Sequence, residues 1–304
     1  MPRKGPLAYS EMGLIEFHER FPGEQECVEY LAGVRFPSGF LCPRCGSPTA
    51  GRIQTRTLWQ CKTCRAQVSV TTGTMFHRTR TPLLQWFWAI FLVAKDKRGH
   101  SALQLSKELA IPYNRAWLML HKIRSAMAQR DSRYKLNGII EIDEAYFGAP
   151  DPGRKGRSTR RVKALVAVGL TEDGKPRFAR IQIVGRLDGR RVRAFAQSEI
   201  SAGSTIRTDG LNVYSCLAAA GYKHEPTVAP GRSADDVLHW AHVIISNAKA
   251  FITGTFHGLD GKHIQRYLDE FCYRFNRRHR ERQLFDRLLL ACANASPLAY
   301  DELT

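Results

Sequence analysis

Asp143 closes the run Gly138-Ile-Ile-Glu-Ile-Asp143, and Asp209 closes Ser204-Thr-Ile-Arg-Thr-Asp209 just before Gly210; each is a short β-branched stretch ending on a carboxylate. A carboxylate at a strand end is held on a rigid element yet faces a cleft. Two of them from separate strands can bracket divalent cations that activate a water and stabilise a leaving oxygen. An Asp in this place also serves as an ordinary turn residue, so the pair alone leaves both readings open. The charge balance points one way: 46 Lys and Arg against 28 Asp and Glu leave +18 over 304 residues. Such an excess favours a polyanionic partner through release of condensed counterions, and nucleic acid is the natural candidate.

The second chemical signal is a set of four cysteines. Cys42-Pro-Arg-Cys45 and Cys61-Lys-Thr-Cys64 form two knuckles separated by Gly46–Gln60, the arrangement in which four thiolates close a tetrahedron around zinc. The stretch between them, with Gly51, Ile53 and Thr55-Arg-Thr-Leu-Trp59, reads as a short hairpin, which makes the whole a zinc ribbon. Cys27, Cys216, Cys272 and Cys292 have no paired spacing and read as core thiols. Met1–Arg20 holds no apolar stretch fit for a secretory core, and the longest apolar run, Trp86–Ala94, is too short to span a bilayer. The expectation is a cytoplasmic protein, where thiols stay reduced and paired cysteines bind metal.

The elements that must carry these groups can be read from periodicity. Gly13–Phe21 and Glu26–Leu31 suggest short helices ahead of the ribbon. Thr81-Pro82 then opens an apolar helix, Leu83–Lys95, with Trp86, Phe87, Trp88 and Phe91 as core. Ser101–Met127 reads as two helices broken near Pro112. The second has Ala116, Leu120, Ile123 and Met127 on its buried stripe, and Asn114, Arg115, His121, Lys122 and Arg124 more exposed. This fits a helix-turn-helix able to enter a major groove, with Arg115 and Lys122 as DNA contacts.

From Asn137 the texture becomes strand-like: Gly138–Tyr146, Val162–Leu170 and Arg177–Val184, with a turn at Asp173-Gly-Lys-Pro176. A helix capped by Asp188 then runs through Gln197, a strand Thr205–Thr208 leads into Asp209, and a helix Val213–Ala220 follows. Three strands, a helix, a strand and a helix give the order of a ribonuclease H-like mixed α/β domain, in which the first and fourth strands are neighbours. The expected division is 1–72 for the ribbon with flanking helices, 73–132 for the helix-turn-helix region, and 133–304 for the catalytic domain with a C-terminal helix.

Four blocks resemble the ISXO-type insertion-sequence transposases: Ile140-Glu-Ile-Asp143-Glu144-Ala-Tyr-Phe-Gly148, Thr208-Asp209-Gly210, His239–His257 and Gln265–Arg278. The likeness runs from about Leu14 to Asn294. It implies an N-terminal zinc ribbon, a DDE-type catalytic domain, and DNA transposition: hydrolysis at each element end, then attack of the freed 3′-hydroxyl on target DNA. It implies magnesium or manganese as the catalytic cation, double-stranded DNA as partner, and a homodimer or higher oligomer on that DNA. Asp143 and Asp209 map onto the first two acidic ligands. Glu144, next to Asp143 on a strand, would point to the opposite face and reads as a salt-bridging neighbour.

The third ligand departs from the usual pattern. Family members with a glutamate carry it seven residues before a lysine or arginine, and the residue so spaced from Lys249 is His242. Residues at i and i+7 share a helix face, so His242 and Lys249 would both look into the cleft. Imidazole is a softer ligand than carboxylate and shifts preference toward manganese. Asn247 is the alternative third ligand, although five residues rotate its direction by about 500°, some ~140° net, away from His242. Asp235 and Asp236 read as a cap before that helix. Lys249 would contact a phosphate. Arg154, Lys155, Arg157, Arg160, Arg161 and Lys163, together with Arg274, Arg277, Arg278, Arg280 and Arg282, would supply a track for the DNA backbone. The competing readings are a zinc-ribbon regulator with an inert nuclease-like domain and a nuclease without strand transfer.

Overall fold

The computed structural model describes residues 12–53, 58–148, 161–227, 238–257 and 259–303. They form two compact units: one from the N-terminal region through Arg130 together with His279 onward, the other Asp131–Arg278. Within the first, α1 (Leu14–Arg20) and α2 (Glu24–Arg35) precede a three-stranded antiparallel sheet of β1 (Ala50–Ile53), β2 (Leu58–Cys61) and β3 (Gln67–Ser69). The hairpin expected between the knuckles is β1–β2, and β3 adds a strand that the sequence reading lacked; Thr55–Thr57 of that reading lie outside the described residues.

Helix α3 (Leu83–Lys95) buries Trp86, Phe87 and Phe91, while Trp88 is half-buried with its ring 4.2 Å from that of Phe17. Its start differs from the Thr81 cap expected. No side chain of the preceding residue caps it; instead Glu24 accepts from the amides of Leu83 at 2.8 Å and Leu84 at 2.9 Å, so the cap comes from α2. Next come α4 (Ala102–Glu108), capped by Ser101, and α5 (Tyr113–Asp131). Ala110 makes the turn between them at φ 50, a left-handed conformation that a side chain adopts only at a cost.

The expected stripe on α5 is buried, but so are two residues assigned to the open face: His121 is 0% exposed and Arg124 2%. The physical reason is that α5 is packed on more than one side. Arg124 reaches the carbonyl of His100 at 3.3 Å, and the His121 ring lies 4.2 Å from that of Trp117.

The second unit is a five-stranded mixed sheet. β4 (Ile139–Phe147), β5 (Val162–Leu170) and β6 (Pro176–Val184) are antiparallel, while β7 (Thr205–Asp209) and β8 (Lys223–Thr227) run parallel to β4, in the order β6-β5-β4-β7-β8. This is the ribonuclease H-like fold, with the first and fourth strands side by side. β5 is apolar almost throughout because both its faces are covered. One face carries α8 (His239–Thr255) and α9 (Ile264–Phe275), packed on Ala145, Phe147, Val166 and Val168. The other carries α6 (Gly189–Glu199, capped by Asp188) and a 3₁₀ turn, Asn212–Ser215, running into α7 (Cys216–Ala219), packed on Ile140, Ile142 and Leu165.

The chain after Arg278 returns to the first unit, which differs from the expected catalytic domain reaching residue 304. There α10 (Leu284–Asn294) joins the aromatic core: the Phe285 ring lies 5.5 Å from those of Phe17 and Phe91, and Arg20 pairs with Asp286 at 2.7 Å. Among the described residues no helix is long and apolar enough to cross a membrane.

Candidate active site and zinc ribbon

The parallel pairing of β4 with β7 matches Ile139 to Thr205, Ile140 to Ile206 and Glu141 to Arg207. Carried two residues further, the same register sets Asp143 level with Asp209. Carboxylate oxygens of Asp143, Glu144 and Asp209 lie within 4.8 Å of one another. Local bonds orient them: Asp143 Oδ1 accepts from the Glu144 amide at 2.8 Å, and Asp209 Oδ1 accepts from the Leu211 amide at 3.1 Å. From the other side of the cleft α8 brings His242 Nε2 to 3.1 Å from Asp143 Oδ2.

This geometry suits a divalent ion bound by hard donors. Two ligand atoms on adjacent corners of an octahedron with bonds of ~2.0–2.1 Å stand about 3.0 Å apart, so the His242–Asp143 separation fits a shared ion as well as a hydrogen bond. Asn247 is exposed on α8, away from the buried Ala241, Ile244, Ile245 and Ala248, and Lys249 is exposed as well. Glu144 holds a second role: its Oε2 accepts from the buried Tyr214 hydroxyl at 2.7 Å, and Lys163 stands 3.7 Å from its Oε1. The tie to Lys163 is the ion pair expected, but the opposite-face placement is not what the structure has: the Glu144 side chain is long enough to bring its carboxylate back among both aspartates, which makes it a third oxygen donor at the site.

Burial raises the Asp143 carboxyl above the usual range; the Glu144 amide and His242 pull it back, while Glu144 and Asp209 push it further up. A carboxyl raised in the fold contributes stability that is present below its unfolded value and lost as pH rises through the folded value. The charged form of Asp143 therefore destabilises the metal-free protein. Asp143→Asn is expected to raise the melting temperature in EDTA at pH 7, by about 2–4 °C if the gain is about 1 kcal/mol. It should also lose most of the further rise that manganese gives the unchanged protein. Equal manganese stabilisation of both proteins would exclude Asp143 as a ligand.

The four ribbon thiols are gathered likewise, with Cys42 and Cys64 sulfurs 3.6 Å apart and those of Cys45 and Cys61 also 3.6 Å apart. A zinc tetrahedron with Zn–S bonds near 2.3 Å has an edge of about 3.8 Å, so the donor set fits zinc. Each knuckle ends in a left-handed residue, Gly46 at φ 70 and Arg65 at φ 59, whose amide returns to the carbonyl of Cys42 or Cys61. One zinc per chain is expected by elemental analysis. A chelator should expose amides of residues 22–72 to hydrogen exchange while the β4–β8 sheet stays protected, because binding energy at such sites is folding energy.

The remaining predicted DNA contacts fall into three groups. Arg115 on α5 and Arg161 before β5 are exposed, whereas Lys122 is partly buried and its ammonium is pushed down by that burial. Arg154, Lys155, Arg157 and Arg160 lie outside the described residues, as do Asp235 and Asp236. Arg277 and Arg278 are not free for a backbone track. Arg277 pairs with Asp131 at 2.6 Å and stacks 3.6 Å from the Tyr273 ring, and Arg278 donates to the carbonyls of Pro176, Arg177 and Phe275. These guanidiniums fasten the end of α9 to the sheet.

Sequence reasoning passed over Glu141, which is 5% exposed and accepts from the Ala241 amide at 2.9 Å. The signal was its place two residues before Asp143, on the same face of β4.

Residues 135–276 match the ISXO2-like transposase domain and residues 22–67 the transposase zinc-ribbon domain. An uncharacterised protein in transposable element ISH50 of Halobacterium salinarum is 27% identical over 215 residues, 65% of this chain and 71% of that protein. Among solved structures, the Mos1 strand transfer complex is similar with TM-score 0.22 and 13% identity over 63% of this chain and 76% of that one. The Mos1 transposase paired-end complex with left transposon end is similar with TM-score 0.21 and 12% identity over 69% and 79%. The matched transposase domain covers the five-stranded sheet with Asp143 and Asp209, and the matched ribbon covers the four cysteines. Over residues 22–67 and 135–276 the chain carries the zinc-ribbon and catalytic domains of the ISXO-type insertion-sequence transposases.

Proposed function

We propose that this protein binds the terminal inverted repeats of its insertion sequence and catalyses divalent-metal-dependent cleavage and strand transfer there. The observation that carries the reading is the convergence of Asp143, Asp209 and His242 from two adjacent parallel strands and a facing helix. These three residues would hold magnesium or manganese, which when bound supplies an activated water and neutralises charge on the phosphoryl group. The protein's own part is placement: β4 and β7 fix the carboxylates on rigid strands, and α8 sets His242 against Asp143. Lys249, one i to i+7 step along the face from His242, is assigned to a phosphate near the scissile bond.

The ribbon and the α4–α5 helix pair are assigned to recognition of the repeats, and exposed arginines to the backbone. Affinity should fall steeply with salt. Arg161→Ala should weaken binding to all duplexes alike, by roughly one unit of the salt slope, whereas Arg115→Ala should weaken terminal-repeat DNA more than random DNA. Fluorescence anisotropy on both duplexes across a salt series measures this, and equal losses for both variants on both DNAs would contradict the division.

An inert regulator is disfavoured by energetics, because a buried carboxylate held beside two others costs stability unless a cation repays it. The deciding test is cleavage of duplexes carrying the element's own ends, with magnesium, manganese or EDTA. Nicks at the element boundary that require the cation support the reading; tight binding without cleavage in either metal would sink it.

A further inference from the structure

We infer that Glu141 is a positioning residue for His242: from β4 it caps the first turn of α8 and so sets the imidazole against Asp143. The inference rests on the reading of His242 given above.

Strand alternation puts Glu141 and Asp143 on one face of β4, two residues apart, while Ile140 and Ile142 turn into the opposite core. Helix α8 begins at His239, and Leu238 in the capping place offers no side-chain acceptor. The first amides of a helix lack intrahelical partners, and an Asp or Ser just before the helix normally supplies the acceptor for its second or third residue. Here the acceptor comes from another element. Glu141 Oε2 takes the amide of Ala241, the third residue of α8, at 2.9 Å in a buried bond. The very next residue is His242, with Nε2 3.1 Å from Asp143 Oδ2. β4 therefore grips two successive residues of α8, one through its backbone and one through its ring.

The chemistry of residue choice supports this. An apolar side chain would fill a buried place on this face without the cost of desolvating a carboxylate, so what Glu141 returns is the fixed seat of the helix end. Fine control of that seat matters, since loss of a group that orients a metal ligand typically costs about 10–100-fold in metal affinity. Trp240 ties the same turn elsewhere, donating its indole N–H to the Gly174 carbonyl at 2.7 Å. That tether, with the apolar packing of Ala241, Ile244, Ile245 and Ala248, keeps α8 in place when Glu141 is shortened.

The test is a double-mutant cycle on the full chain read by calorimetric titration with manganese chloride alone, alongside end-DNA cleavage. The proteins are the unchanged chain, Glu141→Ala, His242→Ala and the double variant, with Glu141→Gln as the conservative control. Glu141→Ala is expected to weaken manganese about 10–100-fold. Glu141→Gln, whose amide oxygen still accepts from Ala241, should stay near the unchanged protein. In the His242→Ala background, Glu141→Ala should cost nothing further, because it acts through a ring no longer there. Equal losses with and without His242, or a Gln variant as weak as the Ala variant, would overturn the inference. His242→Ala binding manganese and cleaving DNA as the unchanged chain does would instead overturn the reading of His242 itself, and the positioning role with it.

Discussion

Alanine at Asp143 or Asp209 is expected to abolish strand cleavage, by more than about a thousandfold, while leaving affinity for terminal-repeat duplex within experimental reach of the unchanged protein. The size follows from where the groups act: preorganised charges aimed at the reacting phosphoryl are worth more in the transition state than in the bound ground state, and removing even one electrostatic partner commonly costs about 10²–10³ in rate. Two features make the separation clean. Asp143 and Asp209 lie in the cleft between β4, β7 and α8, whereas the exposed arginines assigned to DNA lie on α5 and before β5. Removing a carboxylate also lessens repulsion toward a phosphate, so binding should not suffer on electrostatic grounds. Gel-shift titration paired with a nicking assay decides it. Loss of binding in parallel with cleavage would mean that the aspartates support the fold rather than the chemistry, and thermal melts would show that directly.

How much of this was legible in the chain depends on whether a signal is local. Val162–Leu170 reads as a strand because both faces are covered and every residue from Ala164 on must be small or apolar. The two aspartates were legible for the same reason, as each closes a β-branched run, and the strand order alone brought them together. β8 was missed: Lys223-His-Glu-Pro-Thr227 has no β pattern, and it is a strand only because β7 offers it an edge, with Glu225 held by Lys223 and Arg207. Caps supplied from elsewhere in the chain, Glu24 for α3 and Glu141 for α8, leave no mark near the helix they serve.

The same distinction explains the arginines. Arg277 and Arg278 look like part of a charged track until partners arrive from distant sequence. Asp131 then takes Arg277 and Arg180, and the first residues of β6, Pro176 and Arg177, take Arg278 through their carbonyls. Membership of α10 in the first unit is likewise invisible, because an amphipathic helix shows that it has an apolar face but not which surface will cover it.

The third ligand is where spacing and geometry can be tested against one another. His242→Ala is expected to lose most cleavage, roughly a hundredfold or more, with DNA binding retained, because Asp143 and Asp209 still offer carboxylates but one corner of the site is open. His242→Glu should keep measurable activity and do relatively better with magnesium than with manganese, since it exchanges a softer nitrogen donor for a hard oxygen. It also adds a negative charge beside Asp143, so the metal-free protein should melt lower than the unchanged one. Asn247→Ala should stay within a few-fold, as an exposed side chain on the other side of α8 has nothing in the cleft to lose. Cleavage rates in each metal, measured for all three variants at matched DNA occupancy, give the ranking. Asn247→Ala dead with His242→Ala near the unchanged rate would show that the ring beside Asp143 is a hydrogen-bond neighbour and that α8 turns in the loaded complex to present the asparagine.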